Sequence, residues 1–126
     1  MKRERIKVFF DGGCRPNPGR MEAAVVLRGE EHIFEDLGMG GSEDAEWLAL
    51  LKACELAQSH GAAFDLIGDS VEVIGQAHAI LRGDRPTNAH AEAFAALLPS
   101  GAPSHIRWVR RGKNLAGIAL NRRHPR

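Results

Sequence analysis

The sequence predicts an α/β fold, a mixed five-stranded sheet with helices on both faces. Three observations predict it. Three strand-like runs come first, before any helical pattern. Short apolar runs then alternate with helical stretches. The chain has 126 residues, 44% hydrophobic and 26% charged, an ordinary globular composition with enough apolar content for one core. The order β-β-β-α-β-α-α-β-α implies three antiparallel meander strands followed by two parallel ones.

Each element has its own signal. Ile6, Val8 and Phe10 recur with period two, as in a strand with one face in the core. Ala23 to Leu27 and His32 to Leu37 read as the second and third strands, joined by a hairpin turn at Arg28-Gly29-Glu30-Glu31. Gly38-Met39-Gly40-Gly41 breaks the pattern. Ser42 then suits an N-cap, and Glu43, Asp44 and Glu46 suit a first helical turn. That helix runs to about His60, with Leu48, Leu51 and Leu56 near helical spacing, and Gly61 ends it. Phe64 to Ile67 is a buried strand. Helices follow from Val71 to Leu81 and from Asn88 to Leu98, with Pro99 to Pro103 closing the second. His105 to Val109 is the last strand, and Asn114 caps a final helix through about Arg123. One domain over 1–126 is expected, without linker, repeat or low-complexity block.

Composition narrows the function. No apolar run approaches the roughly 20 residues that span a bilayer. Met1-Lys2-Arg3-Glu4-Arg5 leads into a strand and does not read as a signal peptide. Cys14 and Cys54 have neither disulfide nor metal-site spacing, which suits free thiols in a cytoplasmic protein. Net charge is +1, yet no acidic residue follows Glu92, and Arg107, Arg110, Arg111, Lys113, Arg122, Arg123 and Arg126 all lie beyond it. Such a basic segment, with Trp108 among its arginines, fits either a polyanion partner or a solvated surface.

Three carboxylates stand at element boundaries. Asp11 ends the first strand, before the Gly- and Pro-rich stretch Gly12-Gly13-Cys14-Arg15-Pro16-Asn17-Pro18-Gly19. Glu46 lies in the first turn of the first helix. Asp69 ends the fourth strand. Ligands gather beyond the carboxyl ends of parallel strands, where all three can meet. Clustered carboxylates repel unless a cation neutralises them, and all-oxygen ligands suit Mg²⁺ or Mn²⁺, as one or two ions. Each residue also has a plain reading: a solvated turn aspartate, an acid at a helix start, and half of an Asp69-Ser70 cap.

The motifs resemble the type 1 ribonuclease H family across nearly the whole chain. Asp11-Gly12 through Asn17-Pro18-Gly19 resembles its first motif. Ala45-Glu46-Trp47 with Ala49-Leu50 resembles its Ala-Glu-Tyr helix motif, and Gly68-Asp69-Ser70 its Asp-Ser motif. Trp108-Val109-Arg110-Arg111-Gly112-Lys113-Asn114 resembles its last strand and the following loop. The resemblance implies the ribonuclease H fold and metal-dependent cleavage of the RNA strand of RNA–DNA hybrids. Asp11, Glu46 and Asp69 would be catalytic and metal-binding. Gly12, Gly13, Cys14, Arg15, Asn17, Ser42, Arg110, Arg111, Lys113 and Asn114 would contact nucleic acid, with Asn17 at the 2′-hydroxyl.

The chain departs from the family in three ways, one being that the long basic insertions of some members are absent. The family has a fourth Asp four residues after the Asn that opens the last helix. Here that position is Ile118, or Asn121 if the register differs by a turn, and His124 is a nitrogen donor nearby in sequence. Paired Asn residues before the helix motif are replaced by Ser42 and Glu43, whose charge would weaken binding. Loss of the fourth carboxylate implies reduced activity, or a relative that binds hybrid without cleaving it. Another nuclease of the same superfamily is a further reading, though the Asn-Pro-Gly loop matches the hybrid-specific branch. A monomer is expected.

Overall fold

A computed structural model describes residues 5–123; His124 and Arg126 lie outside them. Six strands and four helices follow one another as β1 (Arg5–Arg15), β2 (Gly19–Leu27), β3 (Glu30–Phe34), β4 (Met39–Gly40), α1 (Ser42–Ser59), β5 (Ala63–Gly68), α2 (Val71–Leu81), α3 (Ala89–Leu97), β6 (His105–Trp108) and α4 (Leu115–Arg123). The sheet order is β3-β2-β1-β5-β6, with the two-residue β4 paired to β2. β1–β2 and β2–β3 are antiparallel, whereas β1–β5 and β5–β6 are parallel. The mixed sheet is as predicted, with β4 as an added short strand inside the stretch read as a plain break.

Alternation divides the sheet into two faces. Val8, Phe10, Val25, Leu66 and Ile106 enter the larger core, together with Trp47, Leu50 and Phe94 from the helices. Ala24 and Val26 face the other way and meet Ala116, Ala119 and Leu120 of α4.

Several boundaries move for physical reasons. β1 does not stop at Asp11. Its parallel pairing with β5 ends at Phe9↔Ile67, but its antiparallel pairing with β2 continues to Arg15↔Arg20. Gly12 there serves a close approach. A Cβ on Gly12 would lie 2.1 Å from the Ala45 carbonyl oxygen, so only glycine lets α1 abut the strand. The β2–β3 turn is tighter than predicted: Leu27 pairs with Glu30 across Arg28 and Gly29, both at positive φ (51° and 77°).

Gly41, not Ser42, is the N-cap of α1. Asp44, at the third helical position, accepts from the Gly41 N–H at 3.1 Å and contacts His90 at 2.9 Å, which together hold its carboxyl below the usual range. Glu46 therefore opens the second turn rather than lying in the first. The buried stripe of α1 is Ala45, Ala49, Ala53 and Ala57, flanked by Trp47, Leu50 and Cys54, while Leu48, Leu51 and Leu56 are half-buried. Small residues let the helix lie close to the sheet, which brings Glu46 within reach of β1.

Candidate metal and nucleic-acid site

The site forms where two strands part. β1 loses its β5 partner after Phe9, and β5 ends at Gly68. Asp11 and Asp69 lie just past this divergence, one on each strand, and α1 brings Glu46 above them. One oxygen from each of the three carboxylates lies within 4.8 Å of the others.

Each carboxylate is held by its own chain. Glu46 Oε1 accepts the Gly12 N–H at 2.6 Å. Ser70 Oγ accepts the Val73 N–H at 3.3 Å and caps α2, which frees Asp69 from the capping role it also suited. Asn114 Nδ2 donates to Asp69 Oδ2 at 3.1 Å and to the Phe10 carbonyl at 2.9 Å, and its Oδ1 accepts the Ala116 N–H at 3.1 Å. It ties β1, Asp69 and α4 together.

Burial and mutual repulsion dominate the electrostatics. Desolvation, then the Asp69 charge, push the Asp11 carboxyl up to about 7, against relief from Glu46 and Arg111. Desolvation, then the Asp11 charge, push Glu46 up to about 9, against the Gly12 hydrogen bond. Protein groups alone do not neutralise the cluster. Three hard oxygen donors at this spacing could hold a metal ion.

Asp11, Gly12, Gly13, Cys14, Arg15, Ser42 and Glu46 line a cleft of about 270 Å³, with Gly117 and Asn121 of α4 and with Arg111. Arg111 also borders a second depression beyond Glu46 and Asp69, beside Glu43 and Glu72. Asn17 Oδ1 accepts from the Ser42 N–H and from Cys14 Sγ, each at 3.3 Å. Arg110 and Lys113 are exposed on the same loop as Arg111.

Two expectations are corrected. Asn114 is 0% exposed and cannot touch nucleic acid; its role is internal. The basic segment is also less free than its sequence suggests, because Arg122 pairs with Glu31 and Arg123 with Glu35. On α4, Gly117 lies against the cluster: an added Cβ there would lie 3.5 Å from Asp11 and 3.7 Å from Asp69. Asn121 lines the cleft one turn on, and Ile118 is 43% exposed. Neither Gly117 nor the Asn114 clasp was legible as such. An amide directly before the apolar run Leu115 to Leu120 was the available signal.

No family model matches the chain. A ribonuclease H of Mycolicibacterium smegmatis is 45% identical over 38 residues, which cover 30% of this chain and 24% of that protein. The match thus spans about a quarter of that relative's length. RNase H1 from the halophilic archaeon Halobacterium salinarum superposes with a TM-score of 0.76 at 29% identity, covering 93% of this chain and 94% of that one. These likenesses support an RNase HI-like family. LC11-RNase H1, isolated from compost by a metagenomic approach, resembles this chain with a TM-score of 0.72 at 25% identity, covering 92% and 91% of the two chains. A structure of LC11-RNase H1 in complex with an RNA/DNA hybrid has a TM-score of 0.71 at 23% identity, covering 91% and 92%, a likeness of fold. Among the described residues, no helix is long and apolar enough to cross a membrane.

Proposed function

We propose that the protein is a metal-dependent ribonuclease H that hydrolyses the RNA strand of RNA–DNA hybrids, as a single-domain monomer in the cytoplasm. The observation that carries this reading is the meeting of Asp11, Glu46 and Asp69 within 4.8 Å in an RNase HI-like fold. These three residues would hold one or two Mg²⁺ or Mn²⁺ ions. A bound divalent ion supplies Lewis acidity at a phosphodiester and stabilises the charge that develops there.

The chain's own groups do the rest. The Gly12 N–H and the Asn114 amide fix Glu46 and Asp69, so little reorganisation is needed when the cluster takes up a cation. Asn17 has its carbonyl engaged by Ser42 and Cys14, which leaves its NH₂ to donate to a 2′-hydroxyl, the group that distinguishes RNA from DNA. Gly12 and Gly13 let a polymer backbone approach the cleft. Arg110, Arg111 and Lys113 contact phosphates and set position without reading sequence. The hybrid bound by LC11-RNase H1 supports this substrate class.

The test is cleavage of an end-labelled RNA strand, in hybrid and in single-stranded form, across a Mg²⁺ and Mn²⁺ titration, with Asp11→Asn as control. Metal-dependent cuts confined to the hybrid and lost in Asp11→Asn are expected. Hybrid binding without cleavage at any metal concentration would overturn the enzymatic reading. It would favour a binding-only relative, which one observation supports: among its described residues α4 carries no carboxylate.

A further inference from the structure

α4 packs on β1, β2 and β3 and leaves the same sheet face open toward β5 and β6. Phe64, Leu66 and Ile106 enter the core opposite α4, so Asp65, His105 and Arg107 turn to the open face. Arg5 and Lys7 of β1 stand on that face too, with Lys7 in register with Asp65.

Asp65 is only 2% exposed. Its Oδ2 lies 3.2 Å from Arg5 Nε and 4.0 Å from Arg107 Nε, and its Oδ1 lies 3.3 Å from His105 Nδ1. Arg5 and Arg107 thus bring two positive charges to one carboxylate, and Lys7, in register with Asp65 on the next strand, adds a third on the same face. Both arginines meet it through Nε, yet their side chains stay 45% and 54% exposed. A buried anion that pairs closely with Arg5 and attracts Arg107 from 4.0 Å keeps two half-exposed guanidiniums on one face, where both can meet phosphate.

This face connects with the carboxylate site. A groove of about 260 Å³ is lined by Arg5, Lys7, Phe9, Val26, Arg28 and Leu115. Leu115 opens α4, directly after the loop that carries Arg111 and Lys113. Lys7 and Asp11 lie on one strand, roughly 13 Å apart at the usual rise. A duplex covers that distance in about four base pairs.

We propose that the open face of β1, β5 and β6, built on Arg5, Lys7, Asp65 and Arg107, is a second phosphate-binding surface that grips a duplex beyond the carboxylate cleft. The proposal rests on the hybrid reading above and extends its footprint. The excess of positive charge, fixed by a buried partner, favours a nucleic-acid backbone as occupant.

The test compares hybrids of about 8 and about 24 base pairs, the longer exceeding the combined footprint estimated from duplex rise. Binding is followed by fluorescence anisotropy in EDTA over a salt series, for wild type, Lys7→Glu and Arg107→Gln, with thermal melts to verify folding. Lys7→Glu should weaken the long hybrid about tenfold and lower its salt slope by roughly one. Its binding to the short hybrid, which covers Lys7 in only some of its registers, should fall less, and metal-dependent cleavage of that hybrid at saturation should match wild type. Arg107→Gln should act in the same direction, and Lys7→Glu keeps the test valid if that variant unfolds. Equal loss on both lengths, or no loss on the long one, would overturn the second surface. Selective displacement of the long hybrid by polyglutamate, with duplex DNA showing no length dependence, would also overturn it, in favour of an acidic protein partner. If no hybrid cleavage occurs but long duplexes still depend on Lys7, the hydrolase reading fails and this surface stands.

Discussion

The two ends of β1 and β5 handle buried charge in opposite ways. At the amino end, Asp65 is ringed by Arg5, His105 and Arg107, so the protein neutralises its own carboxylate. At the carboxyl end, Asp11, Glu46 and Asp69 crowd within 4.8 Å, and the Arg111 charge only partly relieves them. The first arrangement is complete and the second asks for a cation. An acidic cluster therefore becomes informative when its neighbours fail to balance it, which here separates a structural carboxylate from the three candidate ligands.

The comparison breaks most sharply at Asp11. Asp11→Asn should reduce hybrid cleavage by at least about a thousandfold, about 4 kcal/mol of transition-state stabilisation. The same change should raise the melting temperature of the metal-free protein, because it removes repulsion with Asp69 and Glu46. Asp65→Asn should do the reverse, lowering stability with modest effect on cleavage. Removing one partner of a buried ion pair costs about 3–5 kcal/mol, and the half-exposed arginines, which water can solvate, bring the expected loss to about 1–2 kcal/mol. Urea unfolding beside a cleavage assay checks both variants.

Asn114→Ala should cost about 1–3 kcal/mol, since it strands the buried Phe10 carbonyl and loosens Asp69. It should also raise the Mn²⁺ concentration needed for half-maximal cleavage, an effect that a purely structural role would not produce in the folded fraction.

The pH dependence sharpens the comparison further. Asp11 and Glu46 rise from 3.8 to about 7 and from 4.5 to about 9 on folding, so the folded metal-free protein binds more protons than the unfolded chain. Their contribution is fully present below about pH 4 and is lost as pH rises through 7 and then 9. Saturating Mg²⁺ should flatten that loss, and melts between pH 5 and pH 9 (roughly the window in which the linkage acts) with and without metal measure it. The smallest expected effect is a gain: Ile118→Asp, or Asn121→Asp in the other register, should lower the required Mn²⁺ by about tenfold, worth about 1.4 kcal/mol. The larger gain identifies the register.

Much of this was legible in sequence because it depended on local pattern. The alternation of Ile6, Val8 and Phe10 fixed which face of β1 is apolar, and the three carboxylates were recognisable by their motifs. What escaped depended on contacts between distant residues. Gly12 and Gly13 read as loop because glycine is a poor strand former, but both extend β1, and Gly12 is the space that lets α1 approach. Arg122 and Arg123 read as free charge because Glu31 and Glu35 lie far away in sequence. Asn114 read as a surface cap because its partners, Phe10 and Asp69, come from other elements.

The Asn114 clasp also imposes an order in time. A chain made from its amino end exposes Asp11, Glu46 and Asp69 to folding before residue 114 leaves the ribosome. Until then Asp69 lacks its amide donor, and Gly117 has not brought α4 against the cluster. The nascent chain thus carries all three acids without the brace that sets them, so the emergence of α4 marks the moment at which the carboxylate cluster takes its final form.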